Sequence, residues 1–239
     1  MPRNNYFQFK QFRIIQEQSA MKVGMDGVLL GAWADASGAE RILDIGTGTG
    51  LIALMMAQKS NVTQIDAIEI DPEAFPEAFL NVQQSPWNGR IQIELSSFQE
   101  FTEQTDRKYD LIVSNPPFFT NGIKAPIENR AQARHSHSLP LNVLISGAAR
   151  LLNENSRISL VLPIESLQEV EKLATLNVLF ISRLCRVKPN PIKPEFRILI
   201  ELTNSECAIQ ESELMIEFEK HHDYTPEYKE LTKDFYLKF

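Results

Sequence analysis

Apolar positions in this chain follow two alternating rhythms. Beyond the first forty residues, short runs dense in Ile, Leu and Val give way to stretches whose apolar residues return every three or four positions. The short runs predict strands at Arg41–Ile45, Gln64–Ile70, Ile91–Leu95, Tyr109–Ser114, Arg157–Leu162, Val178–Val187 and Phe196–Leu202. The periodic stretches predict helices at about 50–59, 72–83, 139–152 and 164–175. Strands joined by helical crossovers lie parallel. No helix separates the last two strands, so they should pair antiparallel at the end of the sheet. The expected fold is α/β and Rossmann-like: a doubly wound, mostly parallel seven-stranded sheet with an antiparallel terminal strand pair. It forms one domain with a core at 41–203 and extensions at 1–40 (on the ligand side) and 204–239.

Less regular stretches carry their own signals. Residues 6–16 alternate enough for a short hairpin or edge strand. Met25–Trp33 has the pattern of a helix capped by Asp26. The segment 119–137 shows neither period, and a loop that long inside a compact domain is usually functional. Three prolines stiffen KPNPIKPE between the last two strands.

Composition narrows the class. Of 239 residues, 43% are hydrophobic and 23% charged, ordinary for a soluble globular protein. No apolar run approaches the roughly 20 residues that span a bilayer. The opening MPRNNYFQFKQF lacks the apolar core of a secretion signal. Cys185 and Cys207 have neither metal-ligand spacing nor a disulfide framework. The expectation is a cytoplasmic monomer with no metal and no membrane partner. A net charge of −7 argues against a nucleic-acid partner, but nine acids against four lysines after residue 205 hold most of the excess. Between Arg183 and Arg197, five basic residues face one Glu195, so a local basic patch is compatible with the total.

The chemistry begins at Ile42-Leu43-Asp44-Ile45-Gly46-Thr47-Gly48-Thr49-Gly50, a buried strand running through glycines into a helix. Glycines accept backbone angles that other residues avoid and let a ligand touch the main chain. The crevice at such a strand–helix junction suits a nucleotide-like ligand. The spacing is GxGxG rather than the GxGxxG of dinucleotide binders. Asp44 would repel a pyrophosphate but hold an ammonium, which favours S-adenosylmethionine over NAD. Glu69 ends the next strand, 19 residues past Gly50, where an acid can accept both ribose hydroxyls. Asp71 precedes Pro72 and has the form of a helix cap; the ribose role falls to Glu69 in preference to Asp71. Ser97 and Phe98 follow the third strand, where the adenine of the cofactor would lie; they serve either that contact or packing.

Ser114-Asn115-Pro116-Pro117-Phe118 follows the fourth strand, with Asn115 65 residues beyond Gly50. An aromatic amine is a weak nucleophile because its lone pair is delocalised. The Asn115 side-chain oxygen and the Pro116 carbonyl can each accept one of its N–H groups, drawing the nitrogen toward tetrahedral geometry. Prolines keep both acceptors aligned, which is preorganisation. Phe118 can stack on a base.

Together, DIGTGTG, IEID and NPPF resemble the class I, Rossmann-like amino-methyltransferases, in which such a tetrad serves adenine, cytosine, guanine and glutamine amides. Ala20–Trp33 (AMKVGMDGVLLGAW), Arg130–Leu141 (RAQARHSHSLPL) and Leu231–Leu237 (LTKDFYL) are similar to the bacterial valine-tRNA adenine-N(6)-methyltransferases. That family modifies the adenine 3′ of the anticodon. The resemblance implies that Lys22, Gly24 and Asp26 wall the methionine end of S-adenosylmethionine, which leaves as S-adenosylhomocysteine. It assigns Gly46, Gly48 and Gly50 to the cofactor loop and Asn115, Pro116, Pro117 and Phe118 to the target amine. Many relatives carry Asp at the position of Ser97. Arg130, Arg134 and His135, with His137 beside them, serve either RNA phosphate contacts or a solvated charged face, and Arg186, Lys188 and Arg197 border a loop placed to meet a tRNA stem. His135 is not expected to be a catalytic base. An rRNA guanine N(2), a glutamine amide, or cofactor binding without catalysis are the rival readings.

Overall fold

A computed structural model describes residues 5–19, 22–62, 64–117 and 139–239. Phe118, Arg130, Arg134, His135 and His137 therefore lie outside the described residues. Strands β1 (Tyr6–Gln8) and β2 (Arg13–Ile15) form the expected hairpin, followed by helix α1 (Met25–Trp33). Then come β3 (Arg41–Ile45), α2 (Leu51–Lys59), β4 (Gln64–Glu69), α3 (Phe75–Gln83) and β5 (Ile91–Leu95). Helix α4 (Phe98–Gln104), β6 (Tyr109–Ser114), α5 (Leu141–Leu151), β7 (Leu152–Pro163) and α6 (Leu167–Leu176) follow. The chain closes with β8 (Phe180–Lys188), β9 (Arg197–Thr203), β10 (Gln210–Met215) and α7 (Pro226–Thr232).

The main sheet has the order β10-β8-β9-β7-β6-β3-β4-β5. Only β9 runs against its neighbours, pairing antiparallel with both β7 and β8. The sequence leads to seven of these strands; the eighth, β10, lies parallel to β8 on the outer edge. Its first four residues are exposed and polar, so burial leaves no apolar imprint on them. Helices α4 and α7 likewise leave no signal in the pattern. Each is only 7 residues long, too short to display a helical period. No helix among the described residues is long and apolar enough to cross a membrane.

Alternation along the strands sorts the core into two layers. Ile42, Leu111, Val113 and Leu199 face the layer of α1 and α2, while Leu43, Ile45, Ile112 and Ile198 face that of α4, α5 and α6. Strands buried on both sides must be apolar at nearly every position, which explains the continuous runs in the sequence. Two glycines allow close helix packing. A Cβ on Gly31 of α1 would meet Met55 Sδ at 2.5 Å, and one on Gly147 of α5 would meet the Phe98 ring at 2.6 Å.

Candidate active site

All strands of the main sheet except β9 end at one edge, and the glycine run starts there. Ile45 at the end of β3 pairs in register with Ser114 at the end of β6, so Gly46 and Asn115 leave the sheet side by side. The Ser114 hydroxyl donates to the Ile45 carbonyl at 2.8 Å, fixing this junction.

Asp44 points into the α1–α2 layer and is 0% exposed. Its Oδ2 accepts from the Thr47 hydroxyl at 2.6 Å and from the Ala53 amide at 3.1 Å, while its buried Oδ1 has no partner. Burial pushes the carboxyl up to about 7, against the pull of the Thr47 and Ala53 bonds. A buried acceptor of this kind is stabilised by a cationic ligand group. The glycine turn beside it is left-handed at Gly46, Gly48 and Gly50, with φ of +70°, +58° and +83°. Nothing lies within 4 Å of where a Cβ would stand on Gly46 or Gly48, so this main chain is open to a ligand.

Glu69 reaches across the turn from β4. Its Oε2 accepts from the Gly48 amide at 2.7 Å, and its Oε1 accepts from the Ile70 and Asp71 amides at 2.9 Å each. Burial raises its pKa, opposed by the same three amides. Asp71 accepts from the Glu73 amide at 2.9 Å, but α3 begins at Phe75 with Ala74 as its N-cap, so the reading of Asp71 as the helix cap is corrected: it closes the turn before the helix. Ser97 and Phe98 have other engagements. Ser97 caps α4 in a reciprocal box with Glu100, and Phe98 is 4% exposed in the core under α5. The Ser97-x-x-Glu100 spacing is itself a helix-start signature.

Asn115 carries the second orphaned acceptor: its Oδ1 is buried without a partner. A Cβ on Gly27 of α1 would stand 3.9 Å from the Asn115 amide nitrogen, so glycine there leaves that side chain room. Pro116 is buried and Pro117 exposed. Lys22 is half-buried at the approach to α1, and Gly24 is the extended N-cap of that helix, with no side-chain cap. The reading of Asp26 as a cap is thus corrected. Asp26 sits inside the first turn and accepts from Arg197 Nε at 3.0 Å, tying α1 to β9.

Pattern reading missed two buried residues of α3. Glu77 accepts the amides of Glu17, Gln18 and Ser19 and the Ser19 hydroxyl. Burial alone would raise this carboxyl, but those bonds hold it below the usual range. Asn81 accepts from the Ile15 amide at 2.8 Å and donates to the carbonyls of Ile15 and Thr49, at 2.9 Å each. Together they fasten the N-terminal segment to the glycine turn. The available signal was two polar residues at i and i+4 on the buried face of α3.

Arg186, Lys188 and Arg197 all stand at the carboxyl edge of the sheet. Arg186 is paired with Glu211 at 2.5 Å and lies 4.0 Å from Glu195; Arg197 is paired with Asp26. The basic segment seen in the sequence is therefore partly neutralised by acids brought from elsewhere in the chain.

A doubly wound sheet with this glycine turn, a following acid and an Asn-Pro-Pro edge defines a methyltransferase, and residues 26–180 match the family model described as methyltransferase small domain. The tRNA1(Val) (adenine(37)-N6)-methyltransferase of Trichodesmium erythraeum is 47% identical over 237 residues, spanning 98% of this chain and 99% of that protein. The enzyme of the same name from Christiangramia forsetii is 45% identical, spanning 98% and 99%. The chain belongs to the tRNA1(Val) (adenine(37)-N6)-methyltransferase family. Solved structures share the fold. A predicted O-methyltransferase from Agrobacterium tumefaciens superposes with a TM-score of 0.64 at 18% identity, covering 88% of this chain and 96% of that one. The M. jannaschii tRNA m1G37 methyltransferase gives 0.59 at 14%, covering 84% and 57%.

Proposed function

We propose that this protein methylates the N6 amine of adenine 37 in a valine tRNA, with S-adenosylmethionine as donor and the cytoplasm as its place of work. The observation that carries the reading is the buried, unpartnered Oδ1 of Asn115 beside the open glycine turn, an acceptor placed for an N–H group. When bound, S-adenosylmethionine supplies an electrophilic methyl group on a sulfonium.

The chain's own residues do the rest. Asp44 Oδ1 provides the anionic acceptor for an ammonium, directly or through water. The open main chain at Gly46 and Gly48 lets the ligand approach the turn, and Glu69 is the ribose acceptor, exchanging its bond from Gly48 for ribose hydroxyls. Asn115 accepts one N–H of the adenine amine and the Pro116 carbonyl accepts the other, which localises the lone pair on nitrogen. Stacking on the base is assigned to Phe118, which lies outside the described residues. The methylated nitrogen is acidic enough to release its proton to water, so no strong base is required. An anticodon-loop adenine is already outside a duplex, so presenting it costs less than flipping a paired base.

The test is labelled methyl transfer to tRNA from a strain lacking this protein, with the modified nucleotide mapped by mass spectrometry. N(6)-methyladenosine next to the anticodon of a valine tRNA is the expected product. Label confined to rRNA guanine or to protein glutamine would defeat the assignment.

A further inference from the structure

Two of the chain's four histidines, His221 and His222, are adjacent in the chain, after the last strand of the sheet. After β10 the chain turns back on itself in a tight hairpin, with Glu217 bridged to Tyr224 and the Phe218 amide donating to the Asp223 carbonyl at 2.8 Å. His221 and His222 occupy its tip. We propose that Glu217, His221 and His222 form a binding site for a divalent first-row transition metal, with Zn²⁺ the best match.

The geometry is close to what such an ion requires. One ligand atom from each residue lies within 4.8 Å of the other two. His221 Nδ1 is 3.1 Å from Glu217 Oε2, and His222 Nδ1 is 3.8 Å from Glu217 Oε1. Nitrogen and oxygen ligands about 2.1 Å from a tetrahedral zinc stand about 3.4 Å apart, between those two separations. Gathering the three atoms takes small side-chain rotations and no refolding. Two imidazoles and one carboxylate suit zinc and its neighbours, whereas calcium and magnesium prefer oxygen ligands alone. A fourth position remains for water.

The hairpin also prepares the ligands. The His222 amide donates to Glu217 Oε1 at 3.1 Å, and His222 adopts a left-handed φ of +68° that folds the tip back toward Glu217. The Tyr224 hydroxyl, 3.1 Å from His222 Nδ1, gives up that contact when the nitrogen takes the ion. Both imidazoles are open to solvent, with side-chain exposures of 78% and 69%, so an ion has a path in. The surplus of acids over lysines after residue 205 provides a field that favours a cation.

In the sheet order, β10 stands five strand spacings from β3, about 24 Å at the usual separation. The ion is thus structural and takes no part in methyl transfer. It pins the hairpin that leads into α7.

Untagged protein titrated calorimetrically with Zn²⁺ should take up one ion per chain, saturably. In the double variant His221→Ala/His222→Asn the affinity should fall by about tenfold or more, and Glu217→Gln should weaken it similarly. Asparagine is chosen at 222 because it tolerates the left-handed backbone. Methyl-transfer activity, unchanged in both variants, reports that they are folded. No saturable uptake by the unaltered protein, or equal uptake by the variants, would overturn the site.

Discussion

Asp44 and Asn115 each bury one oxygen with nothing bonded to it, and in the proposed function the first serves binding and the second turnover. Asp44 is held neutral by burial up to about pH 7. Its ionised form is the one that attracts a cationic ligand, so affinity for S-adenosylmethionine should rise as pH increases from 6 to 8. Stability of the ligand-free protein should follow the opposite course. A carboxyl whose folded value lies above its ordinary 3.8 contributes most below that value, and the contribution is lost as pH rises toward 7. Asp44→Asn should flatten both slopes and weaken cofactor binding, as calorimetry from pH 6 to 8 and thermal unfolding from about pH 4 to 7 would reveal. Asn115→Ala should instead leave cofactor binding intact while kcat falls by about 10²–10³, the usual loss for one preorganised polar contact. An unaltered kcat would remove Asn115 from the mechanism. Both residues were legible in the sequence because each stands where a buried strand ends. That their free oxygens survive burial was not legible.

Among the elements, α3 does more than cover the sheet. Its buried Glu77 and Asn81 hold residues 15–19 and the Thr49 carbonyl, which places the N-terminal segment against the cofactor turn. Glu77→Ala orphans the two buried donors of Ser19 and two part-buried amides and should cost about 3 kcal/mol, measured by denaturant unfolding. If the strap positions the site, Glu77→Gln should keep most of that stability yet raise KM for S-adenosylmethionine with little change in kcat. A KM equal to that of the unaltered enzyme would reduce Glu77 to a structural residue. Helix α4 shows how an element can hide. Phe98–Gln104 is too short for a periodic signal, yet Ser97 and Glu100 announce its start through the capping box. The Ser97 hydroxyl, left open between a cofactor contact and a structural role, is engaged in that box.

The molecule as a whole is clasped at its far side. The Lys10 amide donates to the Phe235 carbonyl at 2.9 Å, and Lys10 Nζ donates to the Phe239 carbonyl at 2.7 Å. Phe9 and Tyr236 stack with centroids 6.0 Å apart, and Tyr228, 2% exposed, lies against Tyr224 and Tyr236. The closing LTKDFYL segment, prominent in the sequence without an evident task, is this clasp. Tyr228→Ala should destabilise the protein by about 3 kcal/mol, the low end for a buried aromatic. In hydrogen exchange, the β1–β2 hairpin and α7 should lose protection together; loss confined to α7 would mean that the clasp does not couple them. The sequence alone determined the α/β class, the glycine turn, the acid that ends β4 and the Asn-Pro-Pro edge. Those features obey local rules: strand and helix periods, backbone angles only glycine takes freely, and the rigidity of proline. Only the tertiary structure decided that Arg197 pairs with Asp26, 171 residues away, that Glu77 reaches Ser19 across 58, and that β10 joins the outer edge. Partners that distant are chosen by how the layers stack, and no nearest-neighbour preference encodes that choice.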